Sequence, residues 1–422
     1  VRTDATPAME KQFFDIAGPQ QLVFQPPGEK TFYQHLNGSI FLHAPEAITH
    51  LSHTDAHKIA RTTIARKYIR DILDKREAQA LFSWTLCMFP TKALAKHAGL
   101  SQKAYTAQII KSCFLNRRSP IDEWERIFHN ASEIKAWLNS MQVLYFRIES
   151  QHMDLEITPG ESRKWIGISG HNIPSFELFL SPDWRGTRGV YHADQPSFRS
   201  GNLVKDITIT FKKGKAVEIE AKKGLAFIKK QLSMDQGANK VGEFSLTDKR
   251  FSKIDQFMAN TLFDENFGGA NGNCHIALGA SYSDTYDGDT STLTRKIKSK
   301  LGFNDSALHW DLVNTEKKQV TAHLKNGKKM AEGAYFKQLK EGKWLYYSDI
   351  DSALISEENY KNGLLHGRMI TFYPESGKPA EIIEYVHGKR EGPLLKYFPE
   401  GSIMTEGTYV NDSLDGKFTL YW

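Results

Sequence analysis

Asp206-Ile207-Thr208-Ile209-Thr210-Phe211-Lys212-Lys213-Gly214-Lys215-Ala216-Val217-Glu218-Ile219-Glu220 is the stretch on which the fold assignment turns. Ile207, Ile209 and Phe211 recur at every second position with threonines between them, the pattern of a strand with one buried face. Lys213-Gly214-Lys215 supplies a turn, and Ala216–Glu220 resumes the alternation, so the segment reads as a β-hairpin. Val143-Leu144-Tyr145-Phe146-Arg147-Ile148 is a second strand signal upstream, and residues 222–240 return to a helical pattern. The middle of the chain is therefore mixed α and β.

Toward the N-terminus the period lengthens. Ile59, Ile64, Tyr68 and Ile72 recur at four- or five-residue steps between His57 and about Trp84, as on a helix with one apolar stripe. Ser101 opens a further helix, and Asp122-Glu123-Trp124 lies at the start of a third. Residues 1–56 read as irregular, with Gly18-Pro19 and Pro26-Pro27-Gly28 as breaks. The expectation is a mainly helical region over 1–140 and a mixed α/β domain over 141–330.

The last ninety residues repeat. Gly342, Gly367, Gly392 and Gly416 are spaced 25, 25 and 24 apart, and Tyr335, Tyr360, Tyr385 and Tyr409 each precede one of them by seven residues. An aromatic follows each glycine by five: Tyr347, Phe372, Tyr397 and Tyr421. Each unit reads as strand, Gly turn, strand, and one such hairpin cannot bury a face alone, so the units must stack. Units such as Tyr360-Lys361-Asn362-Gly363 … His366-Gly367 resemble the MORN repeat family in its bacterial variant. That resemblance implies an antiparallel β array over 331–422 and allows a protein partner, a membrane partner or a purely structural role.

At 422 residues, 40% hydrophobic and 25% charged, the chain has the composition of a globular protein able to bury a core. No apolar run approaches the ~18 residues of a membrane span. Lys and Arg exceed Asp and Glu by only 55 to 49 and are spread along the chain, which argues against a nucleic-acid partner. Cys87, Cys113 and Cys274 are odd in number and far apart. They exclude a disulfide framework and a four-cysteine zinc site and suit a reducing, cytoplasmic compartment. Val1-Arg2-Thr3-Asp4 has neither an initiator Met nor a signal profile, and reads as a processed or truncated start.

Metal-ligand chemistry concentrates in Phe263-Asp264-Glu265-Asn266, in Cys274-His275 after a Gly-rich link, and in His309-Trp310-Asp311. On a strand, His309 and Asp311 point to the same face and can approach one ion. Imidazole with carboxylate suits zinc, cobalt or manganese. Taken alone, such a pair is more often a satisfied surface hydrogen bond, and a lone Cys such as Cys274 is more often a small buried apolar group than a ligand.

Several ordered blocks then carry a resemblance. Asn172-Ile173-Pro174-Ser175-Phe176-Glu177-Leu178-Phe179 with Ser181-Pro182-Asp183, Val241-Gly242-Glu243, Thr261–Asn266, Cys274–Gly279 with Tyr282, and Asn304-Asp305-Ser306 leading to His309-Trp310-Asp311 are similar to the thermophilic aminopeptidase (aminopeptidase T) family of metallopeptidases. Trp84-Thr85-Leu86 … Phe89-Pro90-Thr91 and Trp137-Leu138-Asn139 extend the match over about 57–330. The resemblance implies a metal-dependent aminopeptidase that acts on peptides with a free N-terminus, and a homodimer. It implies Glu177, Glu243, Glu265, His275, His309 and Asp311 as ligands of two divalent ions, zinc before cobalt or manganese. Glu243 or Glu177 would be the general base, and Tyr282 a hydrogen-bond donor to the tetrahedral oxyanion.

Three departures stand out. Phe176 occupies a position where the family commonly has an acid, the Phe267–Asn273 link is longer and richer in glycine, and 56 residues are too few for the family's N-terminal α/β domain. A non-catalytic, peptidase-like scaffold whose repeats bind a partner is the competing expectation. A zinc-dependent hydrolase of another amide is more distant.

Overall fold

The hairpin forms as its alternation demands: Asn202–Lys212 pairs antiparallel with Lys215–Lys223. The computed structural model describes residues 5–325, 329–336, 339–348 and 350–421. Two compact units divide the chain, Val1–Ala322 and His323–Trp422. The polar stretch Asn326-Gly327-Lys328-Lys329 precedes the repeats in the sequence, and its first three residues lie outside the described residues, as do Val1, Arg2, Thr3 and Asp4.

In the first unit residues 5–56 hold more regular structure than their prolines suggest. Helices run over Pro7–Ile16, Pro19–Leu22 and Glu29–His35, and a strand over Gly38–His43. Of the prolines read as breaks, Pro19 starts a helix after Gly18, as Pro7 does after the N-cap Thr6, and Pro26-Pro27-Gly28 leads into Glu29–His35. At the first helical position a missing N–H costs nothing and a fixed φ is already helical. The next helix, Ala56–Ala78, starts at the N-cap Asp55 and stops before Trp84. Trp84 instead lies on the strand Ser83–Met88, which pairs in parallel with Gly38–His43 and with Asn172–Ile173. The helices Gln102–Ser112 and Pro120–Ser140 are capped by Ser101 and Ser119. The expected helix over 222–240 shrinks to Leu225–Gln231.

Two antiparallel sheets follow. The larger orders Lys215–Lys223, Asn202–Lys212, Arg188–Ala193, Asp154–Ile157 and Val143–Glu149 side by side. The smaller has four strands in the order His309–Asn314, Asn273–Gly279, Val241–Thr247, Glu177–Leu180. One face of the four-stranded sheet joins the core, where Phe244 meets Phe146 at 6.1 Å and Trp165 at 5.7 Å between ring centroids. Leu178, Leu180, Ile276, Leu278 and Leu312 share that face and are buried. No helix among the described residues is long and apolar enough to cross a membrane.

Among the described residues the second unit forms an antiparallel array of ten strands. Its register accounts for the repeat spacing: Gly342 pairs with Tyr360, Gly367 with Tyr385, and Gly392 with Tyr409. The first three repeat glycines therefore each face the tyrosine of the following unit. All four repeat glycines have positive φ, from +68° at Gly342 to +101° at Gly392, a region an L side chain enters only with strain. Successive units are tied by recurring bonds: Asn362 N donates to Glu341 Oε2 and Asn411 N to Glu391 Oε2, both at 2.8 Å.

A β-bulge sets the side-chain directions of the four-stranded sheet. Val241 lies opposite Leu278 and Glu243 opposite Ala277, so two residues on one strand face one on the other across Gly242. Without it, Val241 and Glu243 would share a face. With it, Val241 enters the core and Glu243 turns to the opposite side. A Cβ at Gly242 would lie 2.2 Å from the Ala280 carbonyl oxygen and 2.3 Å from that of Gly279. Gly242→Ala is expected to destabilise the first unit by about 3 kcal/mol, read as a lower urea midpoint; an unchanged midpoint would show that the backbone relaxes freely there.

Candidate metal centre

The face of the four-stranded sheet turned away from that core is built from alternate residues on each strand. Glu177 lies opposite Thr247, His275 opposite Ser245, and Ala277 opposite both Glu243 and Asp311. His309 faces Gly279. Five of the six candidate ligands thus stand on one surface, on four adjacent strands. The small Ala277 and Gly279 on the strand between them leave space among the charged groups.

Distances follow from this placement. His275 Nε2 is 3.1 Å from Glu243 Oε1 and 3.2 Å from Glu177 Oε2. His309 Nε2 is 3.5 Å from Asp311 Oδ1 and 3.7 Å from Glu243 Oε2. Two donor groups result, Glu177–Glu243–His275 and Glu243–His309–Asp311, each with its ligand atoms within 4.8 Å of one another. Glu243 belongs to both and turns one oxygen toward each imidazole.

The groups are buried, and their titration shows the strain of that crowding. Burial, together with Glu243 and Asp311, pushes the Glu177 carboxyl up to about 8 against the favourable pull of His275. Burial alone would lower the His275 pKa, but Glu243, Glu177 and Asp311 raise it to about 9. His309 is likewise lifted over the effect of burial by Asp311 and Glu243. Asp311, which burial would raise, is held down to about 2 by His309, His275 and Arg199.

The donors fit a divalent cation. Asp311 Oδ1 is buried without a hydrogen-bond partner, a costly state for a polar atom, and three carboxylates repel one another around two imidazoles. His309 Nδ1 lies 2.9 Å from the Ala280 carbonyl oxygen. A carbonyl only accepts, so Nδ1 carries the proton and Nε2 keeps its lone pair for a metal.

Glu265 stands apart from both groups. It follows the short helix Thr261–Asp264, and its carboxylate accepts from Asn172 Nδ2 at 3.2 Å. Burial, then Glu177, Asp311 and Glu243, raise its pKa well above the usual range, so it lies within reach of the cluster's field. Thr247 Oγ1 and Asn273 Nδ2 both donate to its carbonyl oxygen, at 3.2 and 3.0 Å, and Gly268 N is tied to Ile254 O.

Tyr282 is 38% exposed as a whole residue, and its ring centroid is 4.6 Å from that of His309. Burial of its hydroxyl among Glu243, Asp311 and Glu265 raises its pKa well above 10. Cys274 points into the core, 1% exposed, and burial lifts its thiol to about 11; it is the apolar filler, not a ligand. Phe176, where an acid was expected, is 1% exposed and stacks on Trp124 at 5.3 Å. Several supports had not been singled out from the sequence. Ser245 Oγ donates to Glu177 Oε2 at 3.0 Å, Arg199 Nη1 to His309 O at 2.6 Å, and Asn266 Oδ1 accepts from Phe176 N. Alternation along Glu243-Phe244-Ser245 was the available signal for Ser245.

A buried sheet face carrying two imidazoles and three carboxylates in two overlapping groups is the donor set of a divalent-metal protein. Comparison with known proteins gives the family: the model described as thermophilic metalloprotease (M29) matches residues 1–344, and the chain belongs to it. The match begins earlier and ends later than the span of 57–330 read from the motif blocks. Aminopeptidase AmpS of Bacillus subtilis (strain 168) is 29% identical over 241 residues, which cover 54% of this chain and 56% of the relative. Aminopeptidase T of Thermus aquaticus is 28% identical over 284 residues, covering 62% and 65%. The chain therefore spans less than two thirds of the length of these curated relatives. The solved structure of wild-type AmpT from Thermus thermophilus superposes with a TM-score of 0.62 at 23% identity, over 77% of this chain and 83% of that one, a likeness of mixed α/β fold.

The two faces of the Asn273–Gly279 strand give a paired test. Cys274→Ala is expected to keep full metal content with a stability loss of about 1 kcal/mol, whereas His275→Ala, one residue on, should lose metal. Elemental analysis of both purified variants checks this, and metal loss in Cys274→Ala would contradict the assignment of faces.

Proposed function

We propose that this chain is a metal-dependent aminopeptidase that removes N-terminal residues from peptides. The observation that carries the reading is the sharing of Glu243 between two donor groups on one sheet face. Glu177, Glu243 and His275 would hold one divalent ion, and Glu243, His309 and Asp311 a second, with Glu265 adding a carboxylate nearby. A metal pair so held polarises a scissile carbonyl and acidifies a bound water. Zinc is the first choice of ion, with cobalt or manganese compatible with the same donors.

The protein's own groups do the rest. Glu243 or Glu177 takes the proton of the attacking water and passes it to the leaving amine. Tyr282, beside His309, donates to the developing oxyanion. Its raised pKa keeps the phenol protonated for that task. Ser245, Arg199 and the Ala280 carbonyl hold Glu177 and His309 in place, so little reorganisation accompanies the reaction. A scaffold that held no ion would leave three carboxylates crowded in a buried site with two imidazoles between them, which is expensive. The 331–422 array we take to be a MORN-type module that supplies no ligand, and the assembly to be a homodimer.

Removal of metal by a chelator is expected to abolish hydrolysis of aminoacyl chromogenic amides, with recovery on adding Zn²⁺, Co²⁺ or Mn²⁺. Glu243→Gln should lower kcat/KM by at least ~10²-fold with the circular-dichroism spectrum unchanged. Activity within a few-fold of the parent would remove Glu243 from the centre.

Deleting residues 331–422 should leave metal content and kcat/KM within a few-fold, because every candidate ligand lies between Glu177 and Asp311. A soluble, metal-loaded truncation that has lost more than ~10-fold would show instead that the array shapes the site.

A further inference from the structure

A second cluster of ligating side chains lies in the first unit and shares no residue with the centre described above. His152, in the turn between the strands Val143–Glu149 and Asp154–Ile157, His192 on Arg188–Ala193, and Glu316, just after His309–Asn314, bring one ligand atom each within 4.8 Å of the others. The two imidazole centroids are 5.2 Å apart, with their planes inclined by 53°. The rings are therefore not stacked on each other, and each can turn an edge toward a common point.

Two of the three donors, Glu316 and His192, already have their remote atoms held. Glu316 Oε2 accepts from Ser150 Oγ at 2.6 Å, from His152 N at 3.2 Å and from Asn314 Nδ2 at 3.3 Å. With that oxygen saturated, Oε1 is the one presented to the imidazoles, and it is bonded to His152 Nδ1. His192 Nδ1 is engaged by Thr208 Oγ1 at 3.0 Å from the neighbouring strand, where Thr208 is its cross-strand partner. Nε2 is then the ring atom left for a ligand. Fixing the far side of each donor by a hydrogen bond is how proteins orient metal ligands.

Other charges nearby are mixed. Lys318 is a neighbour of the wrong sign for a cation, and burial lowers its pKa. Asp194, which accepts from Thr315 N and Oγ1 at 2.7 and 2.6 Å, offsets it. Two imidazoles and one carboxylate, with His152 54% exposed in its side chain, make a three-ligand site open to solvent on its fourth side. That donor set suits a borderline first-row ion such as Zn²⁺, and is poor for Mg²⁺ or Ca²⁺, which seek oxygen.

We infer that His152, His192 and Glu316 form a separate transition-metal site that clamps three segments of the first unit together. It is a structural or regulatory ion, since the cluster lies outside the donor face proposed for peptide hydrolysis. The alternative content of the cluster is a His152–Glu316 ion pair alone, and metal stoichiometry separates the two.

The test strips the full chain with chelator and titrates it with Zn²⁺ alone, beside His192→Ala, His152→Ala and Glu316→Gln. The wild type is expected to take up one equivalent more than each variant, while kcat/KM stays within ~2-fold. The difference between wild type and variants stands whether the other centre takes two ions, one or none, so it is independent of the aminopeptidase reading. Equal uptake by the wild type and all folded variants would overturn the inference. Should the variants fail to fold, anomalous scattering at the zinc edge from wild-type crystals decides. A peak ~2.0–2.2 Å from both imidazoles and Glu316 supports the site, and its absence at saturating zinc refutes it.

Discussion

The alternation of side chains along four short strands is the constraint on which the rest depends. A strand can put an apolar residue and an ionisable one at adjacent positions only by sending them to opposite faces. Cys274 and His275, Glu177 and Leu178, and Glu243 and Phe244 all divide in this way. One face closes a dry core around Phe146 and Trp165; the other gathers carboxylates and imidazoles that no core would accept. The bulge at Gly242 is what lets Val241 obey the first requirement and Glu243 the second.

Rigidity of the site follows from the same arrangement. The donors sit on paired backbone rather than on loops, and their outer atoms are braced by Ser245, by the Ala280 carbonyl and by Asn172. Glu265 alone comes from a helix end, and there Thr247 and Asn273 tether the backbone. A catalytic constellation needs its groups held within fractions of an ångström, and a sheet centre offers that more readily than a surface turn.

Much of this was legible in the sequence, and the rest was hidden for physical reasons. The hairpin over 206–220 could be read because a period of two with a Lys-Gly turn has few other interpretations. His309 and Asp311 were placed together correctly by the same rule. The order of the four strands was not readable, since partner choice is a long-range property, and without it neither the bulge nor the sharing of Glu243 can be seen. Cys274 stayed ambiguous until its segment was known to be a strand with His275 on the far side. The N-terminal helices were missed because Pro7 and Pro19 break a helix interior yet begin a helix equally well. His152, His192 and Glu316 lie far apart along the chain and carry no spacing signal.

The register of the C-terminal array, in which the first three repeat glycines each face the tyrosine of the next unit, gives it a translational symmetry. Copy number then becomes a free variable. Gaining or losing a whole unit of about 25 residues preserves the pairing of glycine with tyrosine between successive units, as in other nearest-neighbour repeat folds. A single-residue insertion instead reverses which face each side chain meets. Such a module can lengthen or shorten by duplication while being intolerant of small frame changes, so length variation in it should be quantised in whole repeats.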